Sequence, residues 1–349
     1  MASTPPSRQA PEPVAVRGAT SALVGGILFS LAFTGLIWWA GGRLESVQLL
    51  PDQGAAWYYW KLPVPTFWTR LSAWGLYVLH QVTIWGLIFY AQSRRSKYTT
   101  GLHKFNVLAL AANALFILAH FAQTHILYDG LAQDVSIFSS QGSVIILLVL
   151  VLIMENPRRG MFFGKKAPLS SEVVRVVRKY HGYFFAWAAI YTFWYHPMVS
   201  TPGHLVGFLY MFLLMLQGSL FFTRIHVNRY WTFVMEFAVL VHGTLVAIQQ
   251  GAGLWPMFLF GFGGVFIITQ MHGLGLSWGA RIAILAAYVA GVVAVYSGRG
   301  LAQVNEIIRI PIIDYLAVFV FAWLIAGALW VIRRVRGPAV AAVEGGASS

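Results

Sequence analysis

The chain has 349 residues, 58% of them hydrophobic and 10% charged, with a mean hydropathy of +0.68. Soluble domains carry about 25% charged residues, so this composition excludes an ordinary water-soluble fold. The net charge of +13 does not indicate nucleic acid, because the Lys and Arg residues form short clusters between apolar runs, and the absence of cysteine excludes disulfides, thiolate nucleophiles and thiolate-held zinc or iron–sulfur clusters.

Along the chain, residues 1–20, with Pro5, Pro6, Pro11 and Pro13, read as a disordered tail. A helix needs about 20 apolar residues to cross roughly 30 Å of hydrocarbon. On that basis ten spans are expected, near Ser21 to Trp39, Leu71 to Ala91, Phe105 to Leu127, Ile137 to Met154, Tyr183 to Met198, His204 to Phe222, Tyr230 to Ile248, Trp255 to Met271, Ile282 to Tyr296 and Ile312 to Ile332. Residues 337–349, rich in Ala, Gly and Ser, read as a second loose tail. The expected fold is therefore all-α: a polytopic transmembrane helix bundle forming a single domain over 21–336. No intervening block is large enough for a globular, nucleotide or flavin domain.

Orientation follows from the loops. Under strict alternation, 19 of the 24 Lys and Arg residues fall on the side of both termini and 5 on the other, which predicts a multi-pass protein of the cytoplasmic membrane with both termini inside. Trp57, Tyr58, Tyr59, Trp60, Trp68 and Trp74, with Trp194 and Tyr195, read as an interfacial aromatic belt.

Ionisable residues inside a bilayer are costly and mark function by default. The ten histidines gather at helix ends or within spans. His103, His181 and His226 are expected at the cytoplasmic ends of spans three, five and seven, and His120, His196 and His242 near their outer ends. At 1.5 Å per residue these separations put the two layers about 22 to 26 Å apart. At about 100° per residue, His181 and His196 fall near one face, whereas His226 and His242 fall nearly opposite each other. Basic residues flank the inner layer in Gly101-Leu102-His103-Lys104, Arg178-Lys179-Tyr180-His181 and Arg224-Ile225-His226.

In its paired histidines, missing cysteine and basic edge, the segment 100–273 resembles the integral-membrane b-type cytochromes that serve as quinone-reactive subunits of respiratory complexes. The resemblance implies haem b, two or more copies, with the six layered histidines as iron ligands and His125, His204 and His272 as substitutes. It also implies quinone or quinol as substrate and a partner redox subunit that supplies or takes electrons.

Each position has a structural reading beside the functional one. His103, His181 and His226 could simply belong to a basic interfacial rim, and His120, His196 and His242 could be satisfied by backbone carbonyls or hydroxyls. Glu236, inside the seventh span, suits proton transfer to a quinone or a helix-packing hydrogen bond. His80, in the second span, suits quinone contact or a structural hydrogen bond. Met211 and Met215 are expected to pack rather than ligate, and Gly261, Gly263 and Gly264 to allow close helix approach. His120 and His125 have the spacing of a desaturase box, but the boxes that complete a di-iron site are missing. Two other classes compete: a membrane-bound O-acyltransferase-like enzyme, which Val241-His242-Gly243 resembles, and a proton-coupled transporter titrating its histidines.

Overall fold

A computed structural model describes residues 18–51, 61–94 and 96–336. Trp57 to Trp60 of the aromatic belt and both expected tails, apart from residues 18–20, lie outside the described residues. Among the described residues there are ten α-helices, four short 3₁₀ segments and no β-strand. The helices are α1 (Ala19–Ala40), α2 (Phe67–Ser93), α3 (Lys104–Ile126), α4 (Ile137–Arg159), α5 (Ser171–Tyr195), α6 (Pro202–Ser219), α7 (Arg229–Gln249), α8 (Trp255–Ile268), α9 (Trp278–Arg299) and α10 (Arg309–Arg336).

Each expected span coincides with one helix. Seven of these are long and apolar enough to cross a membrane by themselves: α1, α2, α3, α4, α7, α9 and α10. The other three fall short for separate reasons. α8 has 14 residues, α6 dilutes its apolar run with Pro202, His204, Gln217 and Ser219, and α5 carries Arg175, Arg178 and Lys179 in its first half.

Helix starts coincide with short polar side chains that accept from otherwise orphaned amides. Thr66 accepts from Thr69 N at 3.2 Å ahead of α2, Ser136 from Phe138 N at 3.3 Å ahead of α4, and Asn228 from Tyr230 N and Trp231 N at 2.9 and 3.2 Å ahead of α7. Thr201 caps α6, where Pro202 supplies a first-turn residue that has no amide to satisfy.

The bundle is apolar outside as well as in its packed core, and many of its strongly polar side chains inside the helices turn inward, unlike the soluble pattern of a polar exterior. Leu28, Leu79, Leu115, Phe138, Val293 and Trp323 are exposed, whereas His80, Asn106, His120, Arg159, Glu236 and Asp314 are buried. In hydrocarbon an outward apolar side chain costs nothing, and an outward amide or charge costs several kcal/mol. Together with the seven long apolar helices, this pattern defines a multi-pass membrane protein.

Two packed regions share α5 as a spine. The second half of α5 (Ile190, Phe193, Trp194) packs with Phe33 and Ile37 of α1, Ile84 of α2, Phe116 of α3 and Phe208, Met211, Phe212 and Met215 of α6. Met211 and Met215 are thus core residues, as their spacing predicted. The first half of α5 (Val173, Val174, Val177) packs with Val149 to Ile153 of α4, Met161, and Val318 and Ala322 of α10. A Cβ on Gly261 would lie 2.9 Å from Ile310, and one on Gly263 3.2 Å from Tyr288, so these glycines do set the approach of α8 to α10 and α9.

The Lys- and Arg-rich face is closed by interlocked loops. Phe163 N donates to Ile268 O at 2.7 Å, Thr269 Oγ1 to Met161 O at 2.6 Å, and Arg224 N to Thr99 O at 2.8 Å. Asn106 reaches from α3 to Ser219 O and Phe221 O at 2.7 and 2.8 Å, satisfying carbonyls at the end of α6. On the opposite face Arg70 contacts Asp129 at 2.7 Å, pairs with Asp134, and donates to Gly130 O at 2.9 Å, tying the α3–α4 connection to α2.

Candidate functional site

The histidines sort by what their ring nitrogens already touch. His80 is fully buried on α2 between Asn113 Oδ1, at 2.7 Å from its Nε2, and the Trp194 indole N–H, at 3.2 Å from its Nδ1. Its ring stacks on Phe116 at 4.2 Å. The neutral ring therefore donates through Nε2 and accepts at Nδ1, with both valences used. Asn113 passes the chain on to Ser219 Oγ at 2.8 Å, and Ser219 to Met215 O at 2.8 Å. This network joins α5, α2, α3 and α6, the arrangement of the structural reading of His80.

His120 is equally enclosed. Its Nδ1 lies 3.2 Å from Gln123 Oε1 and its Nε2 3.1 Å from His196 O, while Gln123 Nε2 donates to Ser72 Oγ and Asp129 O. Both ring nitrogens face protein oxygens, which leaves no lone pair directed at a metal. His103 precedes α3, and its Nε2 faces Lys97 O at 3.0 Å and Thr99 Oγ1 at 3.2 Å, pinning the α2–α3 loop. His125 turns back to Phe121 O at 2.8 Å. His272 faces Ile267 O at 3.1 Å and accepts from Arg281 at 3.4 Å.

Glu236 is not a free carboxylate. Arg159 Nη1 and Nη2 donate to its two oxygens at 3.1 and 2.7 Å, and the two side chains are 2% and 8% exposed. Its buried charge is matched bidentately by the guanidinium. Arg159 closes α4 and turns inward. Two other carboxylates are more deeply buried: Asp129 and Asp314 are each 2% exposed, against 9% for Glu236.

The remaining histidines form two groups on opposite faces. On the basic face, His181 and His226 have ring centroids 6.2 Å apart, with planes 34° apart. His181 Nδ1 lies 2.7 Å from Arg178 O, and His226 Nδ1 lies 2.8 Å from Gln217 O. A carbonyl can only accept, so each Nδ1 carries the proton and each Nε2 keeps its lone pair. On the opposite face, His196 and His204 rings meet at 4.5 Å and 83°, with Phe208 5.1 Å from His196. His204 Nδ1 lies 2.6 Å from Thr201 Oγ1. His242 is close enough for electrostatic coupling to both, and a Cβ on Gly207 would lie 2.9 Å from its Nε2.

Two positions depart from the helix-face geometry expected from the sequence. α5 begins at Ser171 and runs past the basic rim, so His181 lies eleven residues into it rather than at its entrance. His196 is its C-cap in extended conformation (φ −134°, ψ 155°), and His226 precedes the Asn228 cap of α7. Neither pair shares one continuous helix, and the 100° rotation argument does not govern them. Loop closure brings His226 beside His181, and the Thr201 cap brings His204 beside His196.

Among the described residues, no three or more His, Cys, Asp or Glu side chains are placed to hold one metal ion. The chain matches no protein-family model, no curated protein and no solved structure.

Proposed function

We propose that this protein is an electron-transfer subunit of the cytoplasmic membrane, a b-type cytochrome with its basic face inside, and that His181 and His226 would hold one haem b. The observation that carries this reading is the pair itself. Two imidazoles from α5 and the α6–α7 connection have their Nδ1 protons bound to backbone carbonyls, the second-shell arrangement of metal-ligating histidines, which directs the lone pair to Nε2. Opposed imidazoles on one metal, with bonds of about 2 Å each, have ring centres roughly 6 to 6.5 Å apart. The 6.2 Å separation fits that spacing.

Two neutral nitrogens without carboxylate or thiolate suit a haem iron better than a bare divalent ion. Arg178, Lys179 and Arg224 bracket the pair in sequence and suit propionate carboxylates at the interface. A bound haem would supply one-electron chemistry, with its potential set by bis-imidazole ligation and by burial. The chain's own part is to hold two tautomers fixed and to exclude water. Quinol is proposed as the lipid-soluble donor or acceptor, with a separate redox protein as the other partner. His120 is left out of this ligand set, because protein oxygens face both of its ring nitrogens.

The His196, His204 and His242 group favours a second reading, a proton-coupled transporter. Rings 4.5 Å apart and nearly perpendicular leave no room for a porphyrin between His196 and His204, whereas contiguous imidazoles suit proton exchange. The visible spectrum of the purified protein decides between the two. The cytochrome reading predicts a Soret band and a reducible α band with one haem per chain, lost in His181→Ala and in His226→Ala and retained in His80→Phe. A colourless protein that binds no added haemin, or full haem content in His181→Ala, refutes it.

A further inference from the structure

Asp314 stands in the first turns of α10, inside a run that is otherwise apolar from Ile310 to Ile332 apart from Tyr315, and is 2% exposed. Its Oδ2 has no hydrogen-bond partner among the described residues. It lines a small internal cavity together with Glu236 of α7 and Gln270 of the turn after α8, the other walls being apolar side chains such as Leu148, Val239 and Phe262. The cavity holds about 10 Å³, which is room for roughly one water, and three polar side chains give that water enough partners.

The two carboxyl groups at this cavity differ in what faces them. Glu236 is held by the guanidinium of Arg159 on α4, with Glu155 and Arg158 further out on the same helix. Among the described residues no cation pairs with Asp314; its titratable neighbour is Tyr315, whose hydroxyl is 2.7 Å from Thr269 Oγ1. The α4 and α8 side chains lining the cavity are apolar. An ionised carboxylate there would lack both counter-ion and donor, so the neutral acid is the form the site accepts.

We propose that Asp314 is an intramembrane proton-binding site: a neutral carboxylic acid that exchanges its proton with water in the cavity it shares with Glu236 and Gln270. On release, the O–H bond breaks, the proton passes to the water oxygen, and the electron pair stays on the carboxylate. On uptake the same bond re-forms. The site requires no haem and stands independently of the His181–His226 reading.

The test is infrared difference spectroscopy of the full-length protein in lipid at neutral pH. Wild type is expected to show the carbonyl stretch of a protonated acid, absent in Asp314→Asn, shifted in Asp314→Glu, and moved in D2O within minutes. A wild-type spectrum indistinguishable from that of Asp314→Asn overturns the proposal, as does a band that never exchanges. Should the Asn variant not fold, N,N′-dicyclohexylcarbodiimide applied to the wild type serves instead, because it reacts with protonated carboxyls in apolar surroundings. Peptide mass spectrometry is expected to find at least tenfold more adduct at Asp314 than at Glu236; equal or lower labelling refutes the assignment.

Discussion

Replacing either partner of the Arg159–Glu236 pair is expected to destabilise the protein, but with different pH dependences. The pair joins the end of α4 to the middle of α7, and both side chains are almost fully buried. Removing one partner of a buried ion pair costs about 3 to 5 kcal/mol, because it leaves the other charge uncompensated. In Glu236→Gln that charge is a guanidinium, which cannot shed its proton, so the defect is expected to be the same at pH 7 and pH 5. In Arg159→Met the orphan is a carboxylate, which escapes by protonation. Neutralising a carboxyl with an ordinary pKa of about 4.3 costs about 3.7 kcal/mol at pH 7 and about 1 kcal/mol at pH 5. The Arg159→Met defect is therefore capped near 3.7 kcal/mol at pH 7 and should shrink by about 2.7 kcal/mol on acidification. The double variant Arg159→Met/Glu236→Leu should recover most of the loss, since apolar replacements of buried pairs are often neutral or stabilising. Denaturant unfolding in mixed micelles at the two pH values, followed by tryptophan fluorescence, measures all three. Equal pH dependence of the two single variants would refute the assignment of a charged, buried pair.

His80→Phe keeps the ring volume but orphans Asn113 Oδ1 and the Trp194 N–H, at about 1 to 3 kcal/mol for each group, and should leave haem content unchanged. Arg70→Ala should destabilise by about 3 to 5 kcal/mol, because Asp129, 1% exposed, loses its counter-ion, whereas Asp134→Asn should cost about 1 kcal/mol or less because Asp134 is 51% exposed; a thermal melt ranks the two. His272, in the turn between α8 and α9, titrates below its usual range through burial and then through the nearby Arg281 charge. A depressed histidine stabilises the fold in full above its unfolded pKa of about 6.5 and loses that contribution as pH falls below it. Hydrogen exchange over residues 269–277 is expected to quicken between pH 7 and pH 5 in wild type and to be pH-independent in His272→Asn.

Helix positions were legible because apolar runs of membrane length allow few alternatives, and ten runs became ten helices with most ends moved by only a few residues. The main departure is α5, whose first three turns carry Arg175, Arg178 and Lys179. A hydropathy reading takes such residues for a loop, although long basic side chains are compatible with a helix leaving the interface. The pairing of His181 with His226, and the presence of His204 beside His196, depended on caps and loops that a rotation argument along one helix cannot represent. Arg159 and Glu236 are 77 residues apart, and only packing of α4 against the rest of the bundle joins them. Asp314 was within reach of sequence reasoning: a lone carboxylate within the last apolar run is the signal that intramembrane ionisable residues always give. The fate of His80 was not legible, because its partners Asn113 and Trp194 come from two other helices.

α9 has none of its apolar span buried inside the protein, and it is fastened at its far end where Tyr296 and Arg299 both reach Glu306, at 2.7 and 3.3 Å. One half-buried stripe, with Tyr288 and Gly291, rests on α8, and the rest of the helix surface is open to acyl chains. Short-chain detergents that sheath it incompletely should loosen this helix first, while the His181–His226 pair, seated across α5 and the α6–α7 connection, stays assembled.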